Sequence, residues 1–124
     1  MKTTESAENY LETILILGTR NPHVRSIDIA EELGFKKSSV SVAMKHLREN
    51  NHIVVSREGY ITLTESGREI ANMIFERHKV ISSALEYLGV SKEIAAEDAC
   101  RIEHIISSES FEALKSHVCK RLNH

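Results

Sequence analysis

The chain has 124 residues, enough for one small domain or one domain with a short helical extension. Hydrophobic residues make up 41% and charged residues 27%, with one proline, five glycines and no tryptophan; this excludes a disordered chain and favours long helices over a many-stranded sheet. Sixteen basic against eighteen acidic residues leave a net charge of −2, which argues against a general nucleic-acid glue.

The first helix is predicted from about Thr4 to Gly18, where Ala7, Tyr10, Leu11, Ile14 and Leu17 recur at helical spacing. Thr3 or Thr4 can cap it, with Glu5 in the first turn. Asn21-Pro22 breaks the chain. Ser26 is expected to cap a second helix, Ile27 to Leu33, which Gly34 ends. A third runs from about Lys37 to Asn50, with Val40, Ala43, Met44 and Leu47 on its apolar face and Lys37, Ser38, Ser41, Lys45 and Arg48 on the other. Ile53-Val54-Val55 and Tyr60-Ile61-Thr62-Leu63 flank Ser56-Arg57-Glu58-Gly59 and read as a hairpin. Thr64 caps a long fourth helix reaching Leu88, stopped by Gly89, with Ile70, Met73, Ile74, Ile81, Ala84, Leu85 and Leu88 as its buried stripe. Ser91 caps a fifth helix, Lys92 to Ile106; Ser107 or Ser108 begins a sixth, with Phe111, Leu114, Val118 and Leu122 on one face.

Pure apolar runs such as Ile14 to Leu17 are far too short to cross a membrane. Met1 to Glu5 lack the basic-then-apolar order of a secretory signal. A cytoplasmic protein is expected, with Cys100 and Cys119 as reduced thiols rather than a disulfide.

Helix, short helix, glycine turn, helix and hairpin is the layout of a winged helix-turn-helix. Charge supports it locally. Lys36, Lys37, Lys45, Arg48 and Arg57 face only Glu49 between positions 36 and 57, whereas positions 64 to 124 carry eight basic and ten acidic residues. The third helix would enter the major groove of double-stranded DNA. Ser38, Ser39 and Ser41 allow close approach to phosphates and base edges, and Lys36, Lys37 and Lys45 supply phosphate contacts. Arg57, at the hairpin tip, can reach a neighbouring phosphate or the minor groove. No Arg or Asn stands where bidentate base readout is obvious. A solvated amphipathic helix would show the same stripe, but not the wing at the right distance or the basic window.

Cys100, Glu103 and His104 lie at i, i+3 and i+4, on one face of one helix, and offer S, O and N donors that suit a transition metal. Alone, the Glu-His pair could be a salt bridge and the cysteine a core residue. Asn9 and Glu12 repeat the i, i+3 spacing beside the first helix's stripe, and His78 interrupts the fourth helix's stripe. A lone histidine there is most often a hydrogen-bonded core residue; three helices each with an inward polar group suggest one shared site.

The sequence resembles the iron- and manganese-dependent repressors, the diphtheria toxin repressor and manganese transport regulator family. The matching stretches are Glu8-Asn9-Tyr10-Leu11-Glu12, Asp28-Ile29-Ala30-Glu31, Ser38-Ser39-Val40-Ser41, Leu63-Thr64-Glu65-Ser66-Gly67, Arg77-His78 and Asp98-Ala99-Cys100-Arg101-Ile102-Glu103-His104. The resemblance implies a homodimer that binds operator DNA when a divalent metal joins the first helix to the dimerisation helices; the stripes of helices four to six, more apolar surface than so small a domain can bury alone, are expected to form its interface. Glu103, His104 and His78 match ligands of both branches, Cys100 a ligand of the iron-type branch, and Glu12 one of the manganese-type branch. Asn9 matches neither, standing where one branch has methionine and the other aspartate. Ser82 and Ala96 stand where the iron-type branch has ligands for an ancillary metal, which implies that this second site is absent in its usual form. The chain stops where longer members continue into an SH3-like domain, as a short two-domain member would.

The fold class expected is therefore mainly α: a winged helix-turn-helix domain over residues 1–70, then an α-helical metal-binding and dimerisation domain over 71–124. The expected effector is Fe²⁺ first and Mn²⁺ next, with Co²⁺, Ni²⁺ or Zn²⁺ as surrogates. The expected partner is a pseudo-palindromic operator, with no membrane and no small-molecule substrate. A winged-helix regulator sensing redox state through Cys100 and Cys119 is the alternative. A metalloenzyme or metal buffer is a third reading, disfavoured because it would leave wing and basic helix unused.

Overall fold

The computed structural model describes residues 4–122, without the side chains of residues 119, 121 and 122. The expectations for Thr3 and for the side chains of Cys119 and Leu122 lie outside the described residues. The chain divides into two compact units at the Asn72/Met73 junction.

The first unit opens with α1 (Glu5–Arg20), capped by Thr4, whose Oγ1 accepts the Ala7 amide at 3.0 Å. The helix runs two residues past Gly18, the extra turn carrying the Thr19 hydroxyl bonded to the Ile16 carbonyl. α2 (Ser26–Leu33) corrects the expected cap: Arg25, not Ser26, is the N-cap residue, and the Asp28 carboxylate reaches back to its amide at 2.9 Å. An acid at the third helical position can satisfy that free donor, so serine is not needed. Gly34 closes α2 at φ +69, a left-handed turn that glycine adopts without steric cost. α3 (Lys37–Glu49) buries Val40, Met44 and Leu47 and exposes Lys37, Ser38, Ser41, Lys45 and Arg48. β1 (Ile53–Val55) and β2 (Ile61–Leu63) pair antiparallel, with Val54 opposite Thr62. Between them Gly59, at φ +87, donates to the Ser56 carbonyl. Tyr10, Leu11, Ile14, Val24, Ile29, Val40, Met44, Leu47, Ile53 and Ile61 form one core beneath helices and wing. Each such side chain contributes about 1.5–3 kcal/mol on burial.

α4 (Glu65–Tyr87) starts on the wing's base. Thr64 Oγ1 accepts the Gly67 amide and donates to the Asn51 carbonyl. A Cβ at Gly67 would overlap the His52 carbonyl oxygen, so only glycine permits this approach. The buried face of α4 is Gly67, Ala71, Ile74, Arg77 and Ile81. Met73 and Leu88, expected in the stripe, are exposed. Met73 is one residue off the 3–4 spacing of the buried face, and Leu88 lies in the turn closed by Gly89 at φ +102.

In the second unit, α5 (Lys92–Ile102) is capped by Ser91, whose Oγ accepts the Ile94 amide. It ends four residues before the expected Ile106, because Ile105 and Ile106 both donate to the Ile102 carbonyl and close a turn. Ser107 caps α6 (Ser108–Leu122), accepting the Ser110 amide at 3.1 Å. Ile74, Ile81, Ala95, Ala99, Phe111 and Val118 are buried here.

Candidate metal centre

Three elements of the second unit deliver donors to one point: His78 from α4, Cys100 from the last turn of α5, and Glu103 from the residue that caps it. The Glu103 side chain is 1% exposed. Its Oε2 lies 3.1 Å from His78 Nδ1 and its Oε1 3.4 Å from His104 Nε2. Cys100 Sγ stands 3.9 Å from His78 Nδ1. One ligand atom each from His78, Cys100 and Glu103 fit within 4.8 Å of one another.

These spacings suit a cation. Bonds of about 2.0–2.3 Å to N, O and S place neighbouring donors roughly 3–4 Å apart. The set holds two soft or borderline donors and one anionic oxygen, the pattern of a first-row transition metal rather than Mg²⁺ or Ca²⁺. Burying a carboxylate is unfavourable unless it is paired, and here an imidazole stands against each of its oxygens. A metal takes an imidazole as ligand in its neutral form. Cys100 is exposed while Glu103 is sealed, so the cluster is open at the thiol and closed at the carboxylate.

The turn after α5 is held by Arg77, whose role the Arg77-His78 motif alone does not reveal. Its Nη1 donates to the Glu103 and Ile106 carbonyls, and its guanidinium lies over the Phe111 ring. Its place between Ile74 and Ile81 in the buried stripe was the available signal. Ser82, considered as a stand-in for an ancillary ligand, bonds instead to the His78 and Lys79 carbonyls of its own helix. Ala96 has no ligand atom.

Asn9 and Glu12 belong to α1 of the first unit; Asn9 is half-buried and Glu12 is 7% exposed. Glu8, one turn before Glu12, is also buried; its i−4 relation to Glu12 is its one signal in the sequence. Lys36, Lys37, Ser38, Ser39, Ser41, Lys45 and Arg57 are all exposed, Lys36 as the N-cap residue of α3 and Arg57 in the wing turn. Glu49 at the last position of α3 is the one acidic residue of that helix.

Residues 2–61 match the family model for the iron-dependent repressor N-terminal DNA-binding domain. Residues 64–121 match that for the iron-dependent repressor metal-binding and dimerisation domain. The chain belongs to the iron-dependent repressor family. It is 37% identical over 114 residues to an uncharacterised HTH-type transcriptional regulator of Methanocaldococcus jannaschii, covering 90% of this chain and 91% of that protein. It is 35% identical over 104 residues to the HTH-type transcriptional regulator MntR of Geobacillus kaustophilus, covering 84% and 74%. Among solved structures, that of T. acidophilum IdeR superposes with a TM-score of 0.80 at 26% identity, over 100% of this chain and 56% of that one. Residues 2–61, all within the winged first unit, are thus the DNA-binding domain and residues 64–121 the metal-binding and dimerisation domain, and the family is one of regulators, not enzymes.

Proposed function

We infer that the protein is a metal-dependent transcriptional repressor of metal-homeostasis genes that binds operator DNA as a homodimer. The observation that carries this reading is the convergence of His78, Cys100 and Glu103 in a chain whose other unit exposes a basic helix and wing. The core of the metal shell is assigned to His78, Cys100, Glu103 and His104. Asn9 and Glu12 are added to it on the family resemblance alone. When bound, a divalent cation neutralises the buried carboxylate and ties its ligands together. The ligand-bearing residues favour the DNA-competent arrangement over others in the population, which is all that gating requires.

Lys36, Lys37, Lys45 and Arg57 are assigned to phosphates; Ser38, Ser39 and Ser41 to close approach along the groove. A two-fold dimer calls for a pseudo-palindromic operator. The division of labour falls between residues 1–70 and 71–124, and the place of action is the cytoplasm, where DNA and exchangeable metal meet. No helix among the described residues is long and apolar enough to cross a membrane. Fe²⁺ is the proposed effector, because the Cys100 thiolate and neutral Asn9 both weaken a site for Mn²⁺, which prefers hard oxygen ligands. Mn²⁺ ranks next, with Co²⁺, Ni²⁺ and Zn²⁺ as surrogates. The redox reading needs Cys119, whose side chain lies outside the described residues, and no observation favours it.

Duplex-DNA binding by the full chain, titrated with Fe²⁺, Mn²⁺ or chelator under anaerobic reducing conditions, tests the reading. Metal is expected to tighten binding at least about tenfold, within the usual range of coupling between sites, and chelator to reverse it. Binding indifferent to both, yet abolished by peroxide, would replace it with the redox alternative.

A further inference from the structure

Arg77 precedes His78 in α4 and is 8% exposed. A guanidinium is not buried for packing alone, because a charge without partners is strongly destabilising there. Its partners belong to one short stretch. Nη1 donates to the carbonyl oxygens of Glu103 at 3.1 Å and Ile106 at 2.9 Å, Nη2 to Ser108 Oγ at 3.5 Å, and the guanidinium carbon lies 5.5 Å from the Phe111 ring centre. That stretch spans the connection between α5 and α6 and the first turn of α6, and Glu103 and His104 stand at its start.

We propose that Arg77 is a positioning residue of the metal centre: it fixes the main chain of the Glu103–Ile106 turn so that the Glu103 carboxylate meets the donors of His78 and Cys100, with the His104 ring against its other oxygen. This rests on reading that cluster as a metal centre. Neighbouring residues of a helix point about 100° apart, so Arg77 and His78 act on different parts of Glu103. Arg77 holds its main-chain oxygen; His78 faces its carboxylate. The last carbonyls of a helix and of the turn after it lack helical donors, and Nη1 alone donates to two of these oxygens, its direction fixed by a guanidinium plane that also reaches Ser108 Oγ and lies over Phe111. A lysine ammonium carries three donors, but on a flexible stem with no plane to fix their direction. Among the described residues Arg77 Nε has no hydrogen-bond partner. A buried donor left unpaired is unfavourable, which makes sense where the geometry of the two held carbonyls matters more than local stability.

The test is an anaerobic Co²⁺ titration of the full chain, read by thiolate-to-cobalt charge-transfer absorption, which reports Cys100 ligation. A wild type that binds no Co²⁺ overturns the reading of the centre itself, and with it this proposal. Given binding, Arg77→Lys is expected to keep the wild-type helical circular dichroism without metal while losing about 10–100-fold in Co²⁺ affinity, the range for residues that orient ligands. Amide exchange at Ile105 and Ile106 should speed up in its metal-free form. Ser108→Ala, which removes only the longest of these bonds, should stay within about threefold of wild type, a small share of that range. An Arg77→Lys protein with wild-type Co²⁺ affinity and absorption overturns the proposal. So does one whose metal-free form loses its helical signal, since Arg77 then serves the folding of the unit rather than the placing of ligands.

Discussion

Glu103→Gln keeps the side chain's volume and removes its charge. Without metal the change is small. The carboxylate has imidazole nitrogens at 3.1 and 3.4 Å. Hydrogen bonds to a charged group contribute about 1.5–3 kcal/mol and neutral ones about 0.5–1.5, but a neutral amide is also easier to bury. The effects oppose each other, so metal-free stability should move by no more than about 2 kcal/mol. Metal affinity should fall much further. Residues that merely orient a ligand are worth 10–100-fold, so losing the anionic ligand itself should lower affinity at least about 100-fold. At a metal concentration 100 times the wild-type Kd, binding stabilises the wild type by about 2.7 kcal/mol. The variant would then be at about its own Kd and gain only about 0.4 kcal/mol. At roughly 4 °C of melting temperature per kcal/mol for a chain of this size, the metal-induced shift is about 11 °C against less than about 2 °C. Anaerobic thermal melts with and without Mn²⁺ or Co²⁺ measure both. A variant that keeps the wild-type shift would show that Glu103 is a structural acid and that the cation binds elsewhere.

Three further outcomes follow from other parts of the molecule. Lys37→Ala or Arg57→Ala should weaken binding to all duplexes about equally, and each should cut the slope of log K against log salt by about 0.9; a relaxed preference at one base pair instead would make that residue a base reader. Cys100→Ser should weaken Fe²⁺ and Co²⁺ more than Mn²⁺, and Cys100→Glu with Asn9→Asp should turn the response toward Mn²⁺; equal affinities in wild type and Cys100→Ser would remove the thiol from the metal shell. Gly67→Ala should destabilise the chain by about 1–3 kcal/mol, the usual range for overpacking, since its methyl would displace the His52 carbonyl and loosen its 3.1 Å bond from the Thr64 amide; denaturant midpoints equal to wild type would count against that packing.

Local signals made most of the fold legible. The 3–4 spacing of Tyr10, Leu11 and Ile14, the Val40–Met44–Leu47 stripe and the glycine turns at 34, 59 and 89 each depend on neighbours within a turn or two, and each element is found. What escaped depends on distant partners. α5 ends at Ile102, whose carbonyl is taken up by Ile105 and Ile106, and the carbonyls beyond it, of Glu103 and Ile106, go to Arg77, 26 to 29 positions away. No periodicity in the Lys92–Ile106 segment announces that. Gly67 reads as a weak spot inside a helix until the His52 carbonyl is seen beside it. At the centre, the spacing of Cys100, Glu103 and His104 puts all three on one helical face, but α5 ends at Ile102, so Glu103 is its cap and His104 lies in the turn beyond, against Glu103 Oε1; the convergence of His78 is a matter of packing. Met73 and Leu88 were misjudged because hydrophobicity alone does not distinguish a stripe from its edge.

The central claim is that metal and DNA bind the same arrangement of this chain, and linkage makes it measurable from the metal side. If metal tightens DNA binding by some factor, DNA must tighten metal binding by the same factor. Co²⁺ affinity of the full chain should therefore be measured with and without a saturating duplex selected by the metal-loaded protein. The account predicts at least about a tenfold gain in Co²⁺ affinity on DNA, equal to the gain in DNA affinity on Co²⁺. Identical Co²⁺ affinity with and without the duplex would contradict it.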